Sequence, residues 1–289
     1  MYGLRPGGVS IGVLRDVSRA FSRLPWENLT KLLSRSGYVE ERGQDWIRGG
    51  AGVPPELLRG FAARTDSVDP GPFRLTDRVM EDHAGLGSGG TCFSLTNALG
   101  SILSDLGFTV FPLLADMRHG SGIHCALVVH HEGSRYLLDP GYLVPEPVKV
   151  SPEAAAEEVA CGGSLMTYSF DAEGRSATLS TRSGDAASST WRYDASLDPV
   201  SPRSFAQRWL QSFDASGLRS LHLNSMAGDR RLSAHNHNLR VDSGSNRENR
   251  KLRDHYPGEI SRAFGISEHL AARAYEEWGR LRAMTQVGR

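Results

Sequence analysis

Apolar residues recur at intervals of three or four near both ends of the chain, within residues 10–35 and 267–284. That spacing predicts amphipathic helices, and Pro25 divides the first stretch into two because its nitrogen cannot donate a helical hydrogen bond. Between these ends, residues 148–193 alternate short apolar stretches with Gly, Ser and Asp. Such alternation predicts short antiparallel strands in a barrel or strongly curved sheet.

The last third of the chain carries both patterns. Residues 202–213 have the apolar spacing of a helix, and three later stretches alternate like strands, at 220–226, 231–234 and 238–241. We therefore predict an α+β protein that mixes helices with antiparallel strands.

A glycine-rich loop precedes one strongly apolar helix. The loop is Gly87-Ser88-Gly89-Gly90-Thr91-Cys92-Phe93, in which the glycines permit a tight turn and Thr91 is suited to the N-cap. Gly107 marks the end of the helix. Cys92 is therefore predicted in the first helical turn, where the positive end of the helix dipole favours the reactive thiolate. Buried, inert cysteine is the commoner role of this residue type.

A β-hairpin is predicted over residues 123–139, because strand-like stretches flank the turn-forming pair Glu132-Gly133. A two-residue loop at this pair would place His124 opposite Gly141 and make Asp139 its diagonal neighbour on the same face. A carboxylate there can hold one imidazole nitrogen while the other faces the cysteine. The pattern predicts a Cys-His-Asp triad.

Composition narrows the class of function. The chain has 289 residues, 39% hydrophobic and 23% charged, and its 33 basic and 33 acidic side chains cancel. We expect a globular protein with neither a nucleic-acid nor a membrane partner. No apolar run could span a bilayer, and the N-terminus lacks the apolar core of a signal peptide, so a cytoplasmic location is expected.

The cysteines are widely separated, which predicts neither a disulfide framework nor a zinc site. A reducing compartment fits this usage. Cys125 follows His124 along the strand, so it is predicted to point to the opposite face and pack in the core. Cys161 is expected to be an incidental thiol in a loop.

These motifs occur together in the order found in one known family. The sequence at 89–93, His124 and the stretch 136–142 resemble the arylamine N-acetyltransferases. The stretch Leu24-Pro25-Trp26-Glu27-Asn28-Leu29 is similar to that family's Pro-Phe-Glu-Asn-Leu, and Asp198-Pro199-Val200-Ser201 with the following helix fits its layout. The resemblance covers nearly the whole chain.

The resemblance implies a cysteine-proteinase-like α+β arrangement in three parts. Residues 1–107 would form a helical bundle with the cysteine, 108–198 an antiparallel β-barrel with the histidine and aspartate, and 199–289 an α/β lid. It also implies an acyltransferase of the EC 2.3.1 class. The implied catalytic residues are Cys92, His124 and Asp139, and the expected substrate contacts are Phe93, Gly122, Gly141 and Tyr142.

By the same resemblance, an acyl-cysteine would carry an acetyl group from acetyl-CoA, as co-substrate, to an arylamine or other amine. No bound cofactor and no metal are expected. In related amide synthases an acyl carrier protein supplies the thioester, which is an alternative partner for this chain.

The sequence departs from the family pattern in three places. The family pairs the glutamate of its motif with an arginine before the Gly-Gly, but Ser88 stands there, so Glu27 is expected to lack that partner or to be a solvated surface residue. The family's Gly-Phe-Gly after the aspartate is Gly141-Tyr142-Leu143. Residues 40–75 form a long Gly- and Pro-rich insertion. We predict that part of it lies over the entrance to Cys92; a solvated excursion elsewhere is the alternative.

Two other classes of function are compatible with these residues. A transglutaminase-like or peptidase-like hydrolase would use the same triad on an amide or ester, and its turnover would not depend on an amine. A catalytically idle descendant would act as a binding protein, and its Cys92 would not react with iodoacetamide near neutral pH.

Overall fold

A computed structural model describes residues 9–42, 53–64, 71–154, 156–184, 186, 188–214, 216–244, 246–253 and 255–287 of the chain. The helices are α1 (Ile11–Phe21), α2 (Leu29–Arg42), α3 (Thr76–Leu86), α4 (Cys92–Asp105), α5 (Pro202–Gln211), α6 (Tyr256–Phe264) and α7 (Glu268–Val287). Short 3-10 helices lie at Pro55–Leu58, Ser212–Asp214 and Ser216–Arg219. Among the described residues, no helix combines the length and apolarity needed to cross a membrane.

The strands are β1 (Trp26–Glu27), β2 (Thr109–Met117), β3 (Gly120–His131), β4 (Ser134–Leu138), β5 (Val148–Lys149), β6 (Glu157–Cys161), β7 (Ser164–Phe170), β8 (Ser176–Ser183), β9 (Thr190–Ser196), β10 (His222–Ala227), β11 (Arg230–His235), β12 (Asn238–Asp242) and β13 (Arg247–Lys251). Eight form one antiparallel sheet in the order β5-β4-β3-β2-β9-β8-β7-β6. Its edge strands β5 and β6 lie close together, so the sheet is a nearly closed barrel.

The second sheet has five strands in the order β1-β10-β11-β12-β13. Strand β1 comes from the turn between α1 and α2 and pairs antiparallel with β10. The C-terminal sheet therefore begins with two residues of the N-terminal helical region, and this pairing fixes one part of the chain against the other.

Helix α4 lies at the centre of the molecule, where its apolar residues pack in the core and its buried polar residues hydrogen-bond to neighbouring elements. All residues from Cys92 to Ser101 are buried, and the leucines of the helix pack with α1 and β3. At its start, the ring of Phe93 lies 5.5 Å from that of Phe205 in α5. Packing on several sides fixes where the first residue of the helix stands.

Most elements lie where the sequence pattern predicts them, but some, β13 and α6 among them, have no such signature. Strand β13 is fully exposed and almost entirely polar, and it forms an edge of the smaller sheet. Helix α6 begins with Tyr256-Pro257-Gly258, residues that ordinarily indicate a turn. Within the Gly- and Pro-rich insertion, the described residues include one short 3-10 helix, Pro55–Leu58.

Three glycines join the barrel to the smaller sheet at one edge. A Cβ on Gly163 would come within 2.2 Å of the main-chain nitrogen of Gly244, and one on Gly184 within 2.1 Å of its oxygen. Both glycines also have left-handed φ angles, 73° and 51°. The two sheets approach this closely only because neither position carries a side chain.

Replacing Gly163 by alanine should therefore destabilise the fold more than the same change at Gly228. Gly228 has a similar φ of 65° but open space around it, so Gly228→Ala costs only the backbone strain, about 1–2 kcal/mol. The free energy of unfolding of Gly163→Ala should fall by roughly 1–3 kcal/mol more than that of Gly228→Ala, because overpacking usually costs this much. Urea unfolding of both variants measures the difference, and equal losses would contradict the close contact.

Candidate active site

The predicted hairpin brings His124 and Asp139 together. Glu132 and Gly133 form its two-residue turn with φ angles of 48° and 72°, the left-handed pair that suits a tight hairpin. Strands β3 and β4 pair in the predicted register. His124 lies beyond the last paired residue and reaches Asp139, the first residue after β4. The predicted juxtaposition is confirmed.

Asp139 is buried and holds the imidazole of His124 from one side. Its two carboxylate oxygens lie 3.1 and 3.0 Å from Nε2 of His124. The same carboxylate accepts the Tyr193 hydroxyl and the Tyr142 main-chain N–H, each at 2.9 Å. Because a carboxylate accepts hydrogen bonds, Nε2 carries its proton toward Asp139, and Nδ1 is the nitrogen left for the cysteine.

Cys92 begins α4 and lies against His124. Thr91 is the N-cap by position, although its side chain makes no capping hydrogen bond. The side chains of His124 and Cys125 both lie close enough to Cys92 to shift its pKa. A Cβ on Gly141 would lie 2.6 Å from Cε1 of His124 and 2.9 Å from Cβ of Cys92. Glycine at this position therefore lets the nucleophile and the imidazole approach each other.

These contacts set the protonation states of Cys92 and His124. The hydrogen bond with the Cys125 thiol contributes most to holding the pKa of Cys92 well below its ordinary value. His124 lowers that pKa further through a hydrogen bond and its charge, although burial opposes the shift. Burial also opposes a charged imidazole, but the charge and hydrogen bond of Asp139, with those of Cys92, raise the pKa of His124 to about 10. A thiolate–imidazolium pair results.

Cys125 packs in the core, as predicted, but its neighbour there is unexpected. Alternation along β3 turns it away from His124, and α4 covers that face of the strand. Its Sγ lies 3.4 Å from Oγ1 of Thr96, one turn beyond Cys92. Burial raises the pKa of Cys125 well above its ordinary value, which keeps it a neutral thiol beside the Cys92 thiolate.

Lys31 of α2 adds a buried positive charge near Cys92. Its ammonium lies 4.7 Å from the ring centre of Phe213 and donates to Ser212. Burial lowers the pKa of Lys31 to about 8, and the negative charge of Cys92 acts against that shift. The sequence gives no signal for this role, because a lysine in an amphipathic helix ordinarily indicates the solvated face.

Glu27 is fully buried, so the alternative of a solvated surface residue is wrong. It lacks the family's arginine at position 88, as expected, but has a charged partner from another position. The family pattern has an arginine at the position of Ser88. Here Arg74, at the end of the insertion, supplies that positive charge. Its Nη1 lies 3.7 Å from Oε1 of Glu27, and its Nη2 lies 3.0 Å from Oδ2 of Asp82. Ser88 is itself buried, and its hydroxyl has no hydrogen-bond partner among the described residues.

Arg74 and Glu27 together brace the loop that precedes the cysteine. Nη1 of Arg74 donates to the main-chain oxygen of Gly89 at 2.6 Å. The main-chain N–H of Glu27 donates to the oxygen of Gly90 at 3.0 Å. A Cβ on Gly89 would lie 1.9 Å from the oxygen of Pro25. The glycines thus allow the loop to lie directly on the segment that contains Glu27.

The described part of the insertion does not lie over the entrance to Cys92. Residues 53–64 pack against α4 and α5, and the main chain of Ala62 exchanges two hydrogen bonds, of 3.0 and 2.7 Å, with a side-chain amide of α4. None of the described insertion residues lines the cavity beside the cysteine, so the predicted location is wrong for them. Residues 43–52 and 65–70 lie outside the described part of the chain.

A cavity of about 340 Å³ opens beside the triad, between the barrel and the smaller sheet. Its wall includes four residues predicted for the site: Cys92, His124, Gly141 and Tyr142. The other two predicted substrate contacts lie elsewhere. Phe93 is buried against α5, and Gly122 lies beside the side chain of Arg208, outside the lining of this cavity.

The chain matches a family profile described as N-acetyltransferase over residues 70–267. No curated protein is detectably similar to it in sequence. Among solved structures, the M. smegmatis arylamine N-acetyltransferase is 20% identical, with 95% of each chain covered and a TM-score of 0.66. That of Mycobacterium marinum is also 20% identical, with 92% of each chain covered and a TM-score of 0.66.

A third similar structure is an arylamine N-acetyltransferase of Bacillus cereus described as having a unique Cys-His-Glu catalytic triad. It is 17% identical, with 90% of this chain and 92% of the other covered and a TM-score of 0.61. Identities this low establish the likeness of the folds alone. The likeness confirms the predicted fold class, in which helices accompany an antiparallel barrel.

The Arg74→Gln variant should be strongly destabilised. It would leave the carboxylate of Glu27 buried without its cation and that of Asp82 with Arg78 alone, and breaking a buried ion pair typically costs about 3–5 kcal/mol. Arg78 also contacts Asp82, but its side chain is 65% exposed, so Arg78→Gln should cost no more than about 1 kcal/mol. Urea unfolding measures the free energy of unfolding of both variants. Similar losses of stability in the two would mean that Arg74 does not brace the loop.

The rate of alkylation of Cys92 by iodoacetamide should reach half its maximum at a pH well below the pKa of free cysteine, which is about 8.5. Asp139→Asn removes the negative charge beside His124 and so weakens the ion pair of Cys92 with His124. The midpoint of the alkylation rate should therefore shift to higher pH. Intact-protein mass spectrometry measures the rates, and Cys161→Ser serves as the matched thiol control. A wild-type midpoint near that of free cysteine would exclude the ion pair.

Proposed function

The chain belongs to the arylamine N-acetyltransferase family and is an enzyme of the acyltransferase class, and we propose that it moves an acetyl group from acetyl-CoA through acyl-Cys92 to an amine. The observation that supports this most is the contact of Cys92 with His124, held by Asp139, at the wall of a cavity. A small acyl group and an amine can meet there.

In the first half of the proposed reaction, the Cys92 thiolate attacks the thioester carbonyl. Main-chain N–H groups at the start of a helix have no partner within the helix, so that of Cys92 is suited to bind the oxyanion. When the intermediate collapses, the donor thiol leaves and takes the proton from Nδ1 of His124. The enzyme is left with an acyl-cysteine and a neutral imidazole.

In the second half, the amine attacks the carbonyl of acyl-Cys92. His124 Nδ1 accepts the proton that the nitrogen loses. Collapse of this intermediate expels the Cys92 thiolate, releases the amide and restores the ion pair. The acyl-cysteine is a thioester and remains reactive toward an amine, provided that water is excluded.

Asp139 has two roles in this scheme. It keeps the Nε2 proton of His124 in place, which leaves Nδ1 to exchange protons with sulfur and nitrogen, and it stabilises the imidazolium. The Bacillus cereus enzyme is described with glutamate as the third member, so a carboxylate is common to both. Tyr193 supports this role because its hydroxyl donates to Asp139 and its ring stacks 5.0 Å from the imidazole.

The test is intact-protein mass spectrometry after exposure to a panel of acyl thioesters. Wild-type protein should gain one acetyl group from acetyl-CoA, and Cys92→Ser should gain none because a hydroxyl is a far weaker nucleophile at neutral pH. Asp139→Asn should load several orders of magnitude more slowly, by analogy with serine triads. Cys125→Ser, which keeps a hydrogen-bond donor, is the matched control and should still load.

Failure of every thioester to label Cys92 would contradict the proposal. A labelled Cys92→Ser protein would place the nucleophile elsewhere. Labelling only by a carrier-protein thioester would replace acetyl-CoA as the donor and leave the acyl-cysteine step in place.

A further inference from the structure

Two cysteine side chains lie together at the start of α4, and acyl transfer uses only one of them. Cys92 and Cys125 belong to the same buried cluster, and both are free thiols. The second is brought there by β3, on which it directly follows His124. No bond is made or broken at Cys125 in the proposed acetyl transfer. The chain therefore has a second sulfur beside its nucleophile that is available for other chemistry.

The contacts of α4 with β3 show where the two sulfur atoms lie. Sγ of Cys92 is 4.0 Å from the main-chain oxygen of Ile123. One helical turn later, Oγ1 of Thr96 is 3.4 Å from Sγ of Cys125 and 3.3 Å from the main-chain oxygen of the same residue. Residues 92 and 96 are on one face of the helix, and that face packs against residues 123–125 of the strand. Both sulfur atoms therefore lie in this one interface.

The two thiols differ in protonation state. The neighbouring Cys125 thiol contributes most to holding the pKa of Cys92 well below its ordinary value. Burial, followed by the nearness of Cys92, raises the pKa of Cys125 well above its ordinary value. Peroxides oxidise thiolates and not neutral thiols, so Cys92 is the member of the pair that reacts first.

Cys92 is also the cysteine that a small oxidant can reach. It lines the cavity beside the triad, whereas Cys125 is fully buried. The third cysteine, Cys161, belongs to a different cluster, in the barrel, where its sulfur lies 3.5 Å from the main-chain oxygen of Leu143. Burial raises the pKa of Cys161 as well. An oxidised Cys92 therefore has Cys125 as its neighbouring thiol.

We propose that Cys92 is a site of peroxide oxidation and that Cys125 is its resolving cysteine, so that the pair forms a disulfide. The Cys92 thiolate attacks one oxygen of hydrogen peroxide. An S–O bond forms, the O–O bond breaks, hydroxide leaves, and Cys92 becomes a sulfenic acid. The sulfur of Cys125 then attacks the sulfur of the sulfenic acid. An S–S bond forms, the S–O bond breaks, and the hydroxyl leaves with the thiol proton as water.

The disulfide makes the loss of the nucleophile reversible. A sulfenic acid that meets no thiol is oxidised further to a sulfinic acid, which thiols do not reduce. A disulfide is instead reduced by a dithiol through thiol–disulfide exchange, in which the reductant becomes the disulfide. Cys125 thus protects Cys92 from irreversible oxidation. This role requires a reactive Cys92 and does not depend on the acyl donor or acceptor.

The test exposes the whole chain to a molar excess of hydrogen peroxide, with intact-protein mass spectrometry as the readout. Wild-type protein should lose the mass of two hydrogen atoms and should not react with dimedone, which labels sulfenic acids. Dithiothreitol should then restore complete alkylation of Cys92 by iodoacetamide. Peptide mapping without reduction should show the Cys92 peptide joined to the Cys125 peptide.

Cys125→Ser removes the resolving sulfur. The oxidised variant should gain one oxygen atom and then a second, should be labelled by dimedone at the first stage, and should stay resistant to alkylation after dithiothreitol. Because Cys125 also affects the pKa of Cys92, the comparison uses the products of oxidation and not its rate. Cys125→Ala should give the same products, which excludes an effect of the new hydroxyl group.

Cys161→Ser is the matched control, since it makes the same change at another buried cysteine. It should form the disulfide as completely as wild-type protein does. The proposal is refuted if wild-type Cys92 is labelled by dimedone and overoxidised to the same extent as in Cys125→Ser. A disulfide that includes Cys161, or one that joins two molecules, would equally contradict it, as would a Cys92 that peroxide leaves unchanged.

Discussion

The buried carboxylate of Asp139 is the charge on which the site depends. It is 1% exposed, so it is stable as an anion only because His124, Tyr193 and the Tyr142 main chain donate to it. The same donors fix the imidazole with one nitrogen toward the carboxylate. The hydrogen bond with the Cys125 thiol contributes most to the lowered pKa of Cys92, and the positively charged imidazole lowers it further. Asp139 supports the second contribution without touching the acyl group.

A second buried charge network positions the nucleophile. Arg74 contacts Glu27 and Asp82 and donates to the loop before α4. This anchors the loop to the segment that includes β1, and β1 in turn joins the smaller sheet. The cysteine is thus held by the helical region while His124 and the cavity wall come from the two sheets. The site is assembled where all three meet.

The local features of this site could be predicted from sequence, and the long-range ones could not. A two-residue turn fixes the register of a hairpin, so the meeting of His124 with Asp139 followed from spacing alone. Arg74 pairs with Glu27 across a long insertion, and no spacing rule identifies such a pair. Cys125 points away from His124, as alternation requires, but only the packing of α4 over β3 reveals its contact with Cys92.

In the proposed mechanism the acyl group on Cys92 passes to an amine rather than to water. Stopped-flow measurement of p-nitrophenol release from p-nitrophenyl acetate distinguishes these two fates, with the products quantified in parallel. Transfer to an amine should give a burst of about one equivalent per Cys92, followed by a steady rate that rises with added amine and yields the N-acetyl product. A steady rate independent of amine, with acetate as the product, would identify a hydrolase and contradict the mechanism.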